Sequence, residues 1–369
     1  MFETQVVRRI DAIGRELWDT CFPGAMEGFD YLSAVEDAGL PGFDWRYVMV
    51  SRAGKPVAAA PGFITDYSLD TTLTPLGRRA VAAVRKLVPR AFTLRLGALG
   101  SPCTENVGLG YAPGVSEEVR LPALQTLIAA FQADALSSRC GLLALKDTPK
   151  YDEALWDAAA EPQGYRSVPG LPIAHLDIDF TDVDQYLARL SHSARKDMRR
   201  KLRVLDRLNI EVRGDLNNLE IAVHRLYADT RARADMQFED LTPAYFAGVM
   251  EKMNGRALCV LYWAEGELLA ANLLLHDGTT LLDKFFCMDA AKGRAFNLYF
   301  VSWFTNLDLC LERGLTRYQS GQAGYANKLR LGSSMTRTAM RFRHRNPLIN
   351  QALQWAAPFL SEDQFAEAA

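Results

Sequence analysis

The 369 residues contain no run of 18 apolar residues of the kind that spans a membrane. The opening stretch Met1–Arg9 lacks the basic-then-apolar order of a secretory leader. Six scattered cysteines form no C-x-x-C pair and have no histidine at ligand spacing, which argues against a zinc site or a disulfide framework. Neither sign of charge dominates: 42 basic residues face 44 acidic ones, for a net charge of −2. Affinity for nucleic acid or an anionic surface would therefore have to come from a local patch. The expectation is a reduced, cytoplasmic protein with no metal and no membrane span.

Hydrophobic residues make up 49% and charged residues 23%, ordinary values for a folded protein, and the length suits two domains. The C-terminal half is the more legible. Leu258–Trp263, Leu268–His276 and Thr280–Met288 are apolar, aromatic runs separated by the turns Ala264-Glu-Gly-Glu267 and Asp277-Gly278, and they predict an antiparallel meander. From Phe296 to Glu312 apolar residues recur every three or four positions, predicting a helix buried on one side and stopped at Arg313-Gly314. A strand at Leu315–Gln319, a glycine-containing loop, a short helix at Tyr325–Leu331 and a strand at Thr336–Arg343 complete this unit.

The N-terminal half repeats the order more faintly. Arg46–Ser51, Val57–Asp66 and Leu94–Leu99 read as strands, Ser116–Ser138 as a helix with Ser116 as its N-cap, and Leu142–Lys146 as the strand after it. Both helices end alike, in Arg139-Cys-Gly-Leu142 and Glu312-Arg-Gly-Leu315. The pattern predicts one mixed α/β fold in tandem, with a boundary in the proline- and glycine-bearing stretch Glu161–Pro172. The expected units are residues 1–165, 166–345 and a helical tail at 346–369. Before the second meander lies the most charged segment: seven of the thirteen residues from Arg195 to Arg207 are basic. With Ser193 as N-cap, Arg195, Arg199 and Arg203 share one helical face. Such runs are commonly solvated faces, and the other reading is a seat for the phosphates of a nucleotide-bearing substrate.

This order of segments resembles the GNAT superfamily in its double-domain, FemA/FemB-like branch, a family also labelled peptidoglycan biosynthesis or recognition proteins. The likeness rests on Ser193–Arg207, on Phe296–Tyr318 and on Gln322-Ala-Gly-Tyr-Ala-Asn-Lys-Leu-Arg-Leu-Gly332. It runs from about residue 180 to 345 and, more weakly, through the N-terminal half. Where the family often has an acidic residue and a histidine before its lysine, this chain has Tyr325-Ala-Asn327.

The resemblance implies transfer of an acyl or aminoacyl group to an amine, chiefly by positioning and oxyanion stabilisation. It places Lys328 at the reacting centre, with Arg330 and Gln322 beside it on the substrate side, against the plainer reading of Lys328 as a surface lysine. Tyr325 stands where GNAT folds place a tyrosine that protonates a departing thiolate. The loop Ala290-Ala-Lys-Gly-Arg-Ala295, before the main helix, keeps the Gly-x-Ala of an acyl-CoA pyrophosphate loop without its leading Gln or Arg. Lys292, Gly293, Arg294, Ala295 and Asn297 are the corresponding donor-binding candidates. Tyr299 and the arginines at 195, 199 and 203 complete the substrate candidates. Asp283, charged within an apolar strand beside Lys284, is expected to face a cleft or a salt bridge, and Glu239 and His276 are candidate bases. Three functions stay open: acyl-CoA-dependent N-acylation of a small amine, aminoacyl-tRNA-dependent transfer, and a non-catalytic recognition module.

Overall fold

The computed structural model describes residues 1–68, 93–234 and 238–352. In chain order its strands and helices are β1 (Phe2–Val7), α1 (Arg15–Cys21), α2 (Phe29–Asp37), β2 (Phe43–Arg52), β3 (Lys55–Ser68), β4 (Thr93–Leu99), β5 (Gly110–Tyr111), α3 (Glu117–Ser137), β6 (Leu142–Pro149), α4 (Glu153–Ala160), β7 (Arg166–Pro169) and β8 (Ile173–Asp177). They continue with α5 (Val183–Arg189), α6 (His192–Lys201), β9 (Asn209–Arg213), α7 (Glu220–Ala232), α8 (Pro243–Lys252), β10 (Ala257–Ala264), β11 (Glu267–His276), β12 (Thr280–Met288), α9 (Ala290–Ala295), α10 (Leu298–Glu312), β13 (Arg317–Gly321), α11 (Tyr325–Arg330), β14 (Ser334–Thr336) and β15 (Thr338–His344).

Two mixed sheets result. The first runs β1-β2-β3-β4-β6-β15-β7, with β5 on β3; the second runs β14-β8-β13-β12-β11-β10-β9. Each holds an antiparallel meander that ends in one parallel pair joined through a long helix: β4 with β6 across α3, and β12 with β13 across α10. The fold is α/β, two GNAT-like units in tandem. The helix crossover exists because parallel neighbours cannot be joined by a tight turn.

The second meander matches its sequence pattern closely, because its strands are apolar runs buried on both faces. Three differences are instructive. The expected helix from Phe296 begins at Leu298 as α10, and the expected donor loop before it folds as the short helix α9, set off from α10 by Asn297, whose φ of 53° is left-handed. The basic helix is capped two residues earlier, by Ser191 accepting from the Ala194 amide, not by Ser193. Ser116 does occupy the N-cap of α3, but its side chain makes no capping bond.

A fourth difference concerns Thr336–Arg343. Thr336 ends β14, which pairs with β8, while residues 338–343 lie in β15, which crosses over to lie between β6 and β7. The expected closing strand of the second unit therefore completes the first sheet. Arg341 secures it. It is buried in β15, with Nε 3.0 Å from Asp157 and a further bond to the Thr148 hydroxyl. Residues 347–352 are helical, and the rest of the expected tail lies outside the described residues.

The halves share one apolar core. Trp18, Tyr31 and Val35 of α1 and α2 pack in the same cluster as Leu226, Phe246 and Val249 of α7 and α8. The Tyr31 and Tyr245 hydroxyls meet at 2.9 Å, and Lys252 donates to Ser33 Oγ at 2.8 Å. The faces of the two units are thereby held against each other, and polar groups from both are fixed at the seam. Among the described residues, no helix is long and apolar enough to cross a membrane.

Candidate active site

The parallel pair β12–β13 opens after three residue pairs, Thr280–Leu282 against Arg317–Gln319. Both strands bulge where they part. On β12, Asp283 and Phe285 face successive residues of β11, leaving Lys284 as the extra residue. On β13, Gln319 and Gly321 face successive residues of β8, leaving Ser320 extra. Such bulges end pairing and re-aim side chains. Here they send Asp283 and Lys284 into different surroundings.

Asp283 turns toward α10. Its carboxylate accepts from Tyr318 Oη at 2.8 Å and from Asn306 Nδ2 at 3.3 Å. Burial pushes its carboxyl up to about 6, against the opposing pull of the Tyr318 bond and the Lys328 charge. Lys284 turns toward the seam and pairs with Glu27 of the first half. Burial works against its charge, but Glu27 and Glu105 outweigh it, and the lysine stays raised.

Lys328, on α11, is only 5% exposed, so it is not a surface lysine. Its ammonium donates to the Ser320 carbonyl and, at 3.1 Å, to the Gly321 carbonyl, two acceptors left over by the bulge in β13. Desolvation lowers it to about 8, with Asp283 and Glu105 resisting. A buried ammonium close to titration is suited to balance a negative charge that appears only transiently.

Gly321 lies at the junction. Its φ of +86° is a left-handed value, and the position has no room for a side chain. A Cβ placed there would lie 3.1 Å from Glu105 Oε1, 3.7 Å from Lys328 Nζ and 3.9 Å from the Asp283 carbonyl oxygen. Carboxylate, ammonium and strand carbonyl therefore converge on one point, where two strands part. Glu105 reaches it from the loop after β4, in the other half of the chain, and is steadied by Gln319 Nε2 at 2.6 Å. Burial raises its carboxyl, partly offset by Lys284.

Several sequence candidates gather here. Lys328 and Asp283 do so directly. Gln322 donates to the Leu171 carbonyl at 2.9 Å and to the Glu105 carbonyl at 3.4 Å, holding the loop that carries Glu105. Tyr299, on the first turn of α10, has a buried hydroxyl with no partner among the described residues, 3.6 Å from where a Cβ on Gly324 would lie. Tyr325 is adjacent but engaged: its hydroxyl donates to the Pro172 carbonyl at 2.9 Å.

Others lie elsewhere. Glu239, next to the undescribed residues 235–237, sits further along the seam; burial raises its carboxyl, and its backbone carbonyl accepts from Tyr227 and Arg231. His276 ends β11, two residues beyond Leu274 at the bulge, opposite Leu281. Arg330 pairs with Asp197 of α6 at 3.0 Å. Arg195 is half-buried on α6, and Arg199 and Arg203 point into solvent; Arg199 makes only an exposed contact with Asp184 at 3.6 Å.

Four amides of the donor loop are already engaged. The Lys292 amide is taken by the Asp289 carboxylate at 2.8 Å, the Gly293 amide by the Asp289 carbonyl at 2.9 Å, and the Asn297 amide by the Arg294 carbonyl at 3.1 Å. The Ala290 amide is held by the Asp229 carboxylate at 2.9 Å. The Lys292 side chain pairs with Glu267. Gly293 is required by packing, since a Cβ there would lie 3.2 Å from Met288 Sδ. The neighbouring hollow is lined by Asp229, Glu267 and Asp289 against Arg225 and Lys292, an excess of carboxylate that disfavours a pyrophosphate. Ala295 and Arg294 end α9 on its exposed side.

Sequence reasoning missed Glu105, Glu27 and Gln319 as parts of a site. Glu105 lies in the glycine-bearing stretch Glu105-Asn-Val-Gly108-Leu-Gly110. Its one signal was an acid amid small, uncharged residues.

Residues 121–365 match the FemAB-like family, described as peptidoglycan biosynthesis/recognition. A curated relative, the putative 8-amino-7-oxononanoate synthase 2 of Mycobacterium tuberculosis, is 28% identical over 342 residues, covering 88% of this chain and 43% of that protein. The chain thus spans less than half the length of this relative. Among solved structures, FemX is similar with a TM-score of 0.54 at 14% identity, over 85% of this chain and 91% of that one. A tandem GNAT protein from the clavulanic acid biosynthesis pathway gives 0.56 at 14% identity, over 94% and 99%. The C-terminal domain of a putative lysylphosphatidylglycerol synthetase from Agrobacterium fabrum gives 0.52 at 12% identity, over 94% and 97%. These structural likenesses concern the fold, which is of the acyltransferase type.

Proposed function

Because the chain belongs to the FemAB-like family, we propose that it is an N-acyltransferase that moves an acyl group from a thioester, acyl-CoA, to a primary amine of a small molecule. The observation that carries this reading is the buried, desolvated Lys328 ammonium beside Glu105 around Gly321, where β12 and β13 part. Such a reaction needs no covalent intermediate on the protein: the amine attacks the thioester carbonyl, the C–N bond forms and the C–S bond breaks. Lys328 is placed to offset the negative charge that builds on the carbonyl oxygen. The Tyr299 hydroxyl, buried and without a partner, suits protonation of the departing thiolate better than the engaged Tyr325. Asp283 holds Tyr318 and raises the proton affinity of Lys328, a positioning role. A donor of this kind places the reaction in the cytoplasm.

A second reading, transfer from aminoacyl-tRNA, is favoured by two observations: the exposed arginines Arg199, on α6, and Arg203, in the turn after it, and the occupied amides of the Lys292–Asn297 loop. The same experiment separates the two. Purified protein is offered acetyl-, octanoyl- and palmitoyl-CoA, or charged tRNA, with n-alkylamines and amino sugars, while thiol or free tRNA release is followed. Amine-dependent thiol release that is lost in Lys328→Met establishes acyl-CoA transfer. Deacylation of tRNA with steep salt dependence, weakened by Arg199→Ala, moves the protein to aminoacyl transfer. A folded protein that turns over neither donor is a recognition module.

A further inference from the structure

The buried side of α10 is apolar, with Val301, Trp303, Phe304, Leu307 and Cys310 packed in one cluster with residues of β10, β11 and β13. Asn306 interrupts that side and is 0% exposed. A buried amide costs stability unless its hydrogen bonds are made. Here they are made to three neighbouring strands. Asn306 Nδ2 donates to the Asp283 carboxylate of β12 at 3.3 Å and to the Tyr318 hydroxyl of β13 at 2.9 Å. Its Oδ1 accepts from Asn272 Nδ2 of β11 at 3.4 Å. The Tyr318 hydroxyl in turn donates to the same Asp283 oxygen at 2.8 Å.

The bridge sits where the sheet needs one. The ladder between β12 and β13 ends at Leu282 and Gln319, and Asp283 is the next residue of β12. Asn306 therefore ties the two strands through a side chain where their backbones cease to pair. Both tied strands lead to Lys328. On β13, the Ser320 and Gly321 carbonyls, just beyond Tyr318, hold the Lys328 ammonium. On β12, the Asp283 carbonyl oxygen lies 3.9 Å from the Cβ position of Gly321, and Lys328 Nζ lies 3.7 Å from it. The carboxylate that Asn306 and Tyr318 fix thus belongs to a residue beside that ammonium. A bonded polar network in an apolar core rigidifies the groups it holds.

We infer that Asn306 is a positioning residue for the transfer: its amide holds the Asp283 carboxylate in place as the counter-charge of Lys328, which keeps the ammonium available to the oxyanion. The inference rests on the transferase reading above. The titratable groups that face Asp283 are Tyr262 of β10, Cys287 of β12, Tyr299 of α10, Tyr318 of β13 and Lys328 of α11. Burial keeps the tyrosines and the thiol protonated. Lys328 is then the group on which Asp283 acts near neutrality, and Glu105 of the other half faces Lys328 as well. With one donor lost, burial favours the protonated form of Asp283, and Lys328 gives up its proton at lower pH.

The test follows acyl transfer to n-alkylamines from the acyl-CoA panel over pH 6 to 10, in the full chain. The alkaline limb of kcat/KM reports loss of the Lys328 proton. Asn306→Leu keeps the branched shape without the amide, and Tyr318→Phe removes the other donor to the same oxygen. Each is expected to move that limb down by about one pH unit. In an Asp283→Asn background the limb starts low, and adding Asn306→Leu is expected to shift it no further, because the amide acts through Asp283. An amide with a purely structural role would lower the melting temperature, and the rate at every pH, without moving the limb. If the parent transfers acyl groups and folded Asn306→Leu keeps the parent's limb, or moves it as far in the Asp283→Asn background, the inference is overturned while the transferase reading stands. Should Asn306→Leu not fold, Tyr318→Phe decides by the same two comparisons. If the folded parent transfers to no amine from any donor, both are overturned.

Discussion

Replacing Asp283 with asparagine should make the protein more stable at neutral pH. The carboxyl lies beneath the point where β12 and β13 part, and burial raises it from its ordinary 3.8 to about 6. Each pH unit between folded and unfolded values corresponds to about 1.4 kcal/mol, so the ionised carboxylate costs the folded state about 3 kcal/mol. The sign follows from which state binds the proton more tightly. Here the folded state does, so the contribution is neutral below the unfolded value near 3.8, and stability is lost as pH rises through about 6. Asparagine keeps an oxygen for the Tyr318 hydroxyl, whose bond to Asp283 measures 2.8 Å, and never ionises. Urea unfolding of both proteins at pH 4, 5, 6, 7 and 8 should show curves that coincide near pH 4 and separate to about 3 kcal/mol by pH 7. A difference independent of pH, or an Asp283→Asn protein less stable at pH 8, would refute the burial argument. Because Asp283 supports the charge of Lys328, the same variant should lose activity while gaining stability, a trade common at functional sites.

Two other substitutions probe the frame around the site. Lys328→Met removes a desolvated charge but leaves the Ser320 and Gly321 carbonyls without their donor, so thermal stability at pH 7 should change by less than about 2 kcal/mol while transfer is abolished; a retained rate would remove Lys328 from the mechanism. Arg341→Met breaks the link of β15 to Asp157 and Thr148 and should cost about 2 kcal/mol by denaturant unfolding, less than a fully buried pair because Asp157 is partly exposed; an unchanged midpoint would show that β15 is held by its ladder alone.

Some of this architecture was written locally. The meander β10–β12 could be read from apolar runs split by glycine turns, and the tandem order from the recurring strand–helix–strand ending, because burial of short segments leaves a periodicity in the residues themselves. The bet on Lys328 came from the resemblance carried by its glycine-bounded loop, without any hint that the lysine is buried. That residues 290–295 form a separate short helix, set off by the left-handed Asn297, was not legible, since the apolar period of the long helix begins only after it.

Tertiary structure alone decided the rest. No local pattern shows that Thr336–Arg343 divides between two sheets, because its alternation suits whichever sheet has an open edge for it. The glycine loop at Lys292 looks like a phosphate loop in sequence, yet its amides are taken by Asp289 and Asp229, the latter brought from another helix. Above all, Glu105 and Lys328 meet only because the shared core of α1, α2, α7 and α8 sets one half against the other. Periodicity records what each segment buries, whereas a site made from both halves depends on how two separately patterned surfaces dock, and that is a property of the whole chain's packing.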